Sequence, residues 1–194
     1  MPQNLGRMLW FPMWLMAAMG FGAGFVVAII RANEVADLNG AGVWSTETTA
    51  QLQHVGAGLM FIGFAAVFAA ISFTIARILG EFRKGGGELQ EATGRTVKVL
   101  KMPFTAKLFI GTMAMAMMAL VIASILHFVF AADIDGTAAS LQDAEQRFIV
   151  LEGIRRGGVV VYLLSFLLGL GTIIEVLRFQ SIRIRELAGE SVAS

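Results

Sequence analysis

Apolar and polar positions along the chain fall into blocks rather than alternating. Four stretches carry no charged residue: Leu9–Ile30, Val55–Ala76, Leu108–Ala132 and Gly157–Ile174, the last continuing past Glu175 through Leu177. A bilayer core of about 30 Å takes about 20 helical residues at 1.5 Å each, and these blocks meet or approach that length. None shows the period-two pattern of a barrel strand. A backbone in lipid must satisfy its own hydrogen bonds, which a helix does within one segment. The pattern therefore predicts an all-α integral membrane protein, a single membrane domain over residues 1–194. Its four-transmembrane-helix bundle has helices at about 9–30, 53–80, 104–132 and 157–180. The first apolar run is longer than a signal-peptide core and ends at Arg31 without a small-x-small site, so a permanent helix is expected, with Pro12 in its first turn.

The stretches between the blocks carry turn and helix signals. Gly85-Gly86-Gly87 should end an extension of helix 2, and Glu88–Met102 reads as a short helix lying on the membrane surface. Pro103 suits the start of helix 3. Asp135-Gly136 marks a turn. The outer segment 133–156 is then partly helical, either a separate amphipathic helix or the start of helix 4, with Glu152 and Arg156 spaced to pair. Glu175 is the carboxylate nearest a span interior, within reach of Arg178 or Arg183.

Composition narrows the class. Hydrophobic residues make up 57% of the chain and charged residues 15%, with no cysteine and a net charge of +1. That excludes a disordered chain, a disulfide scaffold, a thiolate metal site and the basic excess of a nucleic-acid binder. Eleven of the 15 Lys and Arg fall in the two tails and the second loop. By the positive-inside rule both termini face the cytoplasm, and the first and third loops face the periplasm or exterior of what is expected to be a bacterial inner membrane. Trp10 and Trp14 sit at the inner end of helix 1, where interfacial indoles belong, and Trp44 lies in the first outer loop.

Candidate chemistry rests on the two histidines. At 1.5 Å per residue His54 lies about 34 Å from Arg77, and His127 about 30 Å from Lys107. On antiparallel helices both imidazoles reach similar height near the outer face. Three readings follow. The rings can be ordinary interfacial histidines. They can be axial ligands of one b-type haem, with Gly56 and Gly58 making room for the macrocycle. Or they can contribute to a copper or zinc site shared with another chain, helped by Asp133 or Asp135. Methionines at 113, 115, 117 and 118 form core or interface packing rather than a Cu(I) stripe. Small-residue spacing at Gly20 and Gly24, and at Gly169 and Gly171, predicts close helix packing, within the chain or against another subunit.

No GK[ST] phosphate loop or HExxH is present. Without a self-sufficient catalytic set, the leading expectation is an accessory or scaffold transmembrane subunit of a larger membrane complex, of a redox or monooxygenase type. Its partners are the lipid bilayer and other membrane subunits. The alternative is a single-haem electron-transfer subunit using His54 and His127, with a quinone or periplasmic redox partner.

Overall fold

A computed structural model describes residues 2–40, 45–94 and 102–189. The described residues form four helices: α1 Pro2–Gly40, α2 Glu47–Ala92, α3 Phe104–Ala132 and α4 Ala138–Leu187. All four are long and apolar enough to cross a membrane, with mean hydropathies of 2.1 to 2.3 over their most apolar windows. Neighbours in sequence run antiparallel. At one end of the bundle α1 leads towards α2 and α3 towards α4, beside both histidines; at the opposite end lie the start of α1, the end of α2, the start of α3 and the end of α4. These are called the histidine end and the basic end.

The helices overrun the predicted spans because lipid solvation sets where a helix must exist, not where it must stop. Residues 2–8 are already helical, so Pro12 lies inside α1 rather than in its first turn. The glycines at 85–87 do not end α2, which continues to Ala92 and turns at Gly94 with φ +69°. Each glycine weakens a helix by about 0.5–1 kcal/mol relative to alanine without forbidding it. Beyond them Gln90 is buried, so tertiary contact carries the helix through. Residues 88–92 therefore belong to α2; the rest of the expected surface helix, at 95–101, and Trp44 lie outside the described residues.

Of the 133–156 segment, residues 133–137 form the whole connection. Asp133 ends α3, Gly136 turns with φ +77°, and Thr137 caps α4 by accepting from the Ser140 amide at 3.2 Å. Asp135 accepts from the Thr137 amide at 3.0 Å and its hydroxyl at 2.8 Å. Those bonds, the amide first, hold its carboxyl below the ordinary value of 3.8. A reciprocal cap opens α2, where Thr46 and Thr49 hydroxyls each accept from the other's amide.

Helix α2 is the hub. α1 packs on α2 and on no other described helix, whereas α2, α3 and α4 all contact one another. Small side chains allow this: Ala65, Ala66, Ala69 and Ala70 of α2 are all buried. At the α1–α2 crossing, a Cβ on Gly20 would meet the Gly63 backbone at 2.9–3.0 Å, and one on Gly24 would meet Met60 at 3.0 Å. The GxxxG of α1 is thus used inside the chain. On α4, Gly169 packs against Phe109 and Ile75, but Gly171 faces open space and takes no part in intrachain packing. Methionines of α3 point both ways: Met113 is buried, while Met115 and Met118 are exposed among the apolar residues available to lipid.

The register of α4 differs from the sequence expectation. The Arg155 guanidinium lies over the Phe61 ring, 5.7 Å from its centroid, and pairs with Glu152 at 2.7 Å. Phe61 stands two turns into the apolar run of α2, about 10 Å past His54. An ion pair therefore sits at the height of apolar residues in the neighbouring helices, two to five residues before the charge-free run of α4 begins at Gly157. It replaces the predicted Glu152–Arg156 pair, since Arg155 faces the bundle and Arg156 does not. Glu175 also departs from expectation: its carboxylate accepts from the Thr105 hydroxyl at 2.9 Å, and no ion pair joins it to Arg178 or Arg183.

Candidate functional site: a buried histidine pair and the cleft beside it

His54 lies two turns into α2, and His127 lies five residues before the end of α3. The structure brings them together. Their relative exposures are 1% and 0%, and their Nδ1 atoms are 2.9 Å apart. The Nε2 atom of His54 lies 3.1 Å from the carbonyl oxygen of Ala144 in α4. The two contacts link α2, α3 and α4 at one height.

The chain of contacts fixes the proton positions of a neutral pair. A carbonyl oxygen only accepts, so His54 Nε2 carries a hydrogen and donates to Ala144. Neutral His54 then has a bare Nδ1, which accepts from Nδ1–H of His127. His127 is left with a bare lone pair on Nε2. That atom is buried and has no hydrogen-bond partner.

Aromatic rings enclose the pair. Phe61 meets His127 edge-on at 4.9 Å, and Phe148 lies 5.6 Å from each imidazole. Phe130 meets His54 at 6.3 Å, and the Arg147 guanidinium lies over the Phe130 ring, 4.6 Å from its centroid. Gly58 permits the approach of α3: a Cβ there would meet Phe128 at 3.0 Å and the His127 Cβ at 3.3 Å. One turn along α3, the Ser124 hydroxyl donates to the Gly58 carbonyl at 2.7 Å. Gly58 therefore makes room for His127 and Phe128, and Gly56 makes room for Val27 of α1 at 3.3 Å.

This geometry does not fit a haem held between the two histidines. Two in-line metal–imidazole bonds of about 2 Å each would set the ligating nitrogens about 4 Å apart, with the macrocycle between the rings. Here the facing nitrogens are hydrogen-bonded and the space between the rings is closed. A copper or zinc site shared with another chain fits no better. The bare nitrogen of His127 is enclosed, and no group of three or more His, Asp or Glu is placed to hold a metal among the described residues. Asp133 faces Arg147 at 3.6 Å, and Asp135 is committed to Thr137.

Next to His54 a cleft of about 370 Å³ opens at the histidine end. Its walls include Arg31 of α1, Ser45 just before α2, Gln53 of α2, and Gln142 and Glu145 of α4. Arg31 is fixed in place: its Nε donates to the Thr49 carbonyl at 3.3 Å and Nη2 to Gln53 Oε1 at 2.8 Å.

Sequence reasoning identified both histidines and their common height. It missed the Arg31 anchor, the Glu152–Arg155 pair and the Ser124–Gly58 bond. The i, i+3 spacing of Glu152 and Arg155 was a signal for the second; the other two are contacts between helices and leave no local mark. No protein-family model, curated protein or solved structure matches the chain.

Proposed function

We propose that the chain is a non-catalytic transmembrane subunit of a larger membrane complex. The observation that carries this reading is the one-sided packing of α1. Among the described residues that 39-residue helix is held by α2 alone, and it leaves Trp14, Met19 and Phe25 more than half exposed. Lipid can cover such a face, and so can a neighbouring membrane helix, for which an aromatic-bearing surface is suited. The histidines support the same reading, because three of their four ring nitrogens are engaged in joining helices.

The distribution of Lys and Arg supports a topology with both termini cytoplasmic and the histidine end toward the periplasm or exterior, and a bacterial inner membrane is the proposed location. A redox or monooxygenase assembly is the partner class carried over from the sequence. The haem-based electron-transfer reading, with its quinone or periplasmic partner, is not carried forward. Purification from native membranes in mild detergent tests the proposal. Stoichiometric partners, lost when Trp14 and Phe25 are replaced by alanine, are expected; a chain that migrates alone overturns it. An optical spectrum of the co-purified subunits tests the redox class.

A further inference from the structure

The cleft beside His54 has opposite charges on different helices that do not neutralise one another. Arg31 is anchored through Nε and Nη2 to neutral oxygens, and no carboxylate lies within ion-pairing distance of it among the described residues. Glu145, across the cleft on α4, likewise has no cationic partner there. Between them stand neutral hydrogen-bonding side chains: Ser45, Gln53 and Gln142. A cation held by neutral acceptors keeps its full charge available, and a guanidinium with two edges fixed presents the remaining Nη1 in a set orientation.

The location narrows the ligand. Arg31 immediately follows the apolar run of α1, and His54 immediately precedes that of α2, so the cleft lies where the apolar part of the bundle ends. Headgroups occupy that height. We infer that the cleft binds a phosphoethanolamine group, with the phosphate on Arg31 and the ammonium on Glu145. A primary ammonium donates hydrogen bonds to a carboxylate and to amide oxygens such as those of Gln53 and Gln142. A trimethylated ammonium donates none and is held instead by aromatic cages. No Phe, Tyr or Trp ring lines the cleft among the described residues, and the His54 imidazole is already committed to His127 and Ala144. Phosphoethanolamine is therefore favoured over phosphocholine, and an uncharged glycerol ester has nothing to offer Glu145. This inference stands apart from the subunit reading, because it depends on the cleft alone.

The test uses the full chain in nanodiscs and in detergent. Native mass spectrometry should retain phosphatidylethanolamine in preference to phosphatidylcholine or phosphatidylglycerol by about tenfold, and Arg31→Met should abolish retention of all three. Glu145→Gln should erase the preference for phosphatidylethanolamine over phosphatidylglycerol while leaving binding of the latter intact. Free O-phosphoethanolamine, added to detergent-solubilised protein, separates the sources: competition with the lipid identifies the headgroup alone as sufficient, and its absence assigns the site to the intact lipid. Glu145→Gln also guards against misfolding, since its side chain is exposed and anchors no helix. Equal retention of the three lipids by the native chain, or a preference unchanged in Glu145→Gln, overturns the inference.

Discussion

Helix α2 is joined to the rest of the protein by two seams of opposite character. Toward α1 the seam is made of absence: Gly20 stands against the Gly63 backbone, Gly24 against Met60, and Phe21 covers Gly63. Toward α3 and α4 it is made of rings and hydrogen bonds: His54, His127, Phe61 and Phe148, with Ser124 donating to Gly58. In lipid there is little hydrophobic drive between helices, so both seams depend on contact dispersion and on polar groups that would otherwise go unsatisfied. The glycine seam cannot accept added atoms. The histidine seam cannot lose one partner without stranding the other.

The largest effect should come from filling the first seam. Gly20→Leu places side-chain atoms where backbone already stands at 2.9–3.1 Å. α1 should detach, with a loss of about 3 kcal/mol, the upper end for overpacking. Gly22→Leu is the control, because a Cβ there meets nothing within 4 Å. Unfolding of both variants in detergent measures the difference; equal loss would show that the seam is not the cause.

Next comes the histidine pair. His127→Leu strands Nδ1 of His54, and His54→Leu strands Nδ1–H of His127; each should lose about 2–3 kcal/mol. The double variant removes both polar partners and should lose less than the two single losses combined. Strict additivity would contradict the bond. Nitrogen-15 spectra sharpen the assignment, with hydrogen expected on Nε2 of His54 and on Nδ1 of His127.

The four spans and the shared height of the histidines were legible because lipid imposes a length on apolar runs and helical rise converts residue number into depth. What the imidazoles face was not legible, since rotation about each helix depends on contacts such as Gly58 against the His127 Cβ. Helix ends were read poorly for a related reason. Gly85–Gly87 look like a terminator locally, yet buried Gln90 lies beyond them. Arg155 was placed in the outer segment because charge was taken to mark water, whereas in the structure Glu152 and the Phe61 ring accommodate it.

Smaller effects separate bonds that cross a seam from those that stay on one helix. Ser124→Ala removes a bond from α3 to α2 and should lose about 0.6 kcal/mol. Ser165→Ala removes one to Val161 of its own helix and should be nearly neutral. Matching losses would deny the seam its polar component. Smallest is the effect of acid on the connection that leads into α4. Asp135 has a lowered folded-state pKa, so its contribution is present above 3.8 and is lost as pH falls through that lower value. Amide exchange at residues 135–140 should quicken only in that acidic range, and Asp135→Asn should make it insensitive to pH after correction for intrinsic exchange.

Helix α4 has one further consequence. Its 50 residues form an unbroken rod of about 75 Å, gripped near one tip by the Ala144 carbonyl and near the other by Gln180, which donates to Phe82. A rod of that length works as a lever. Tilting it by about 3° around its centre swings each tip by about 2 Å, so a disturbance among the imidazoles is delivered to the opposite side of the bilayer without any loop to absorb it.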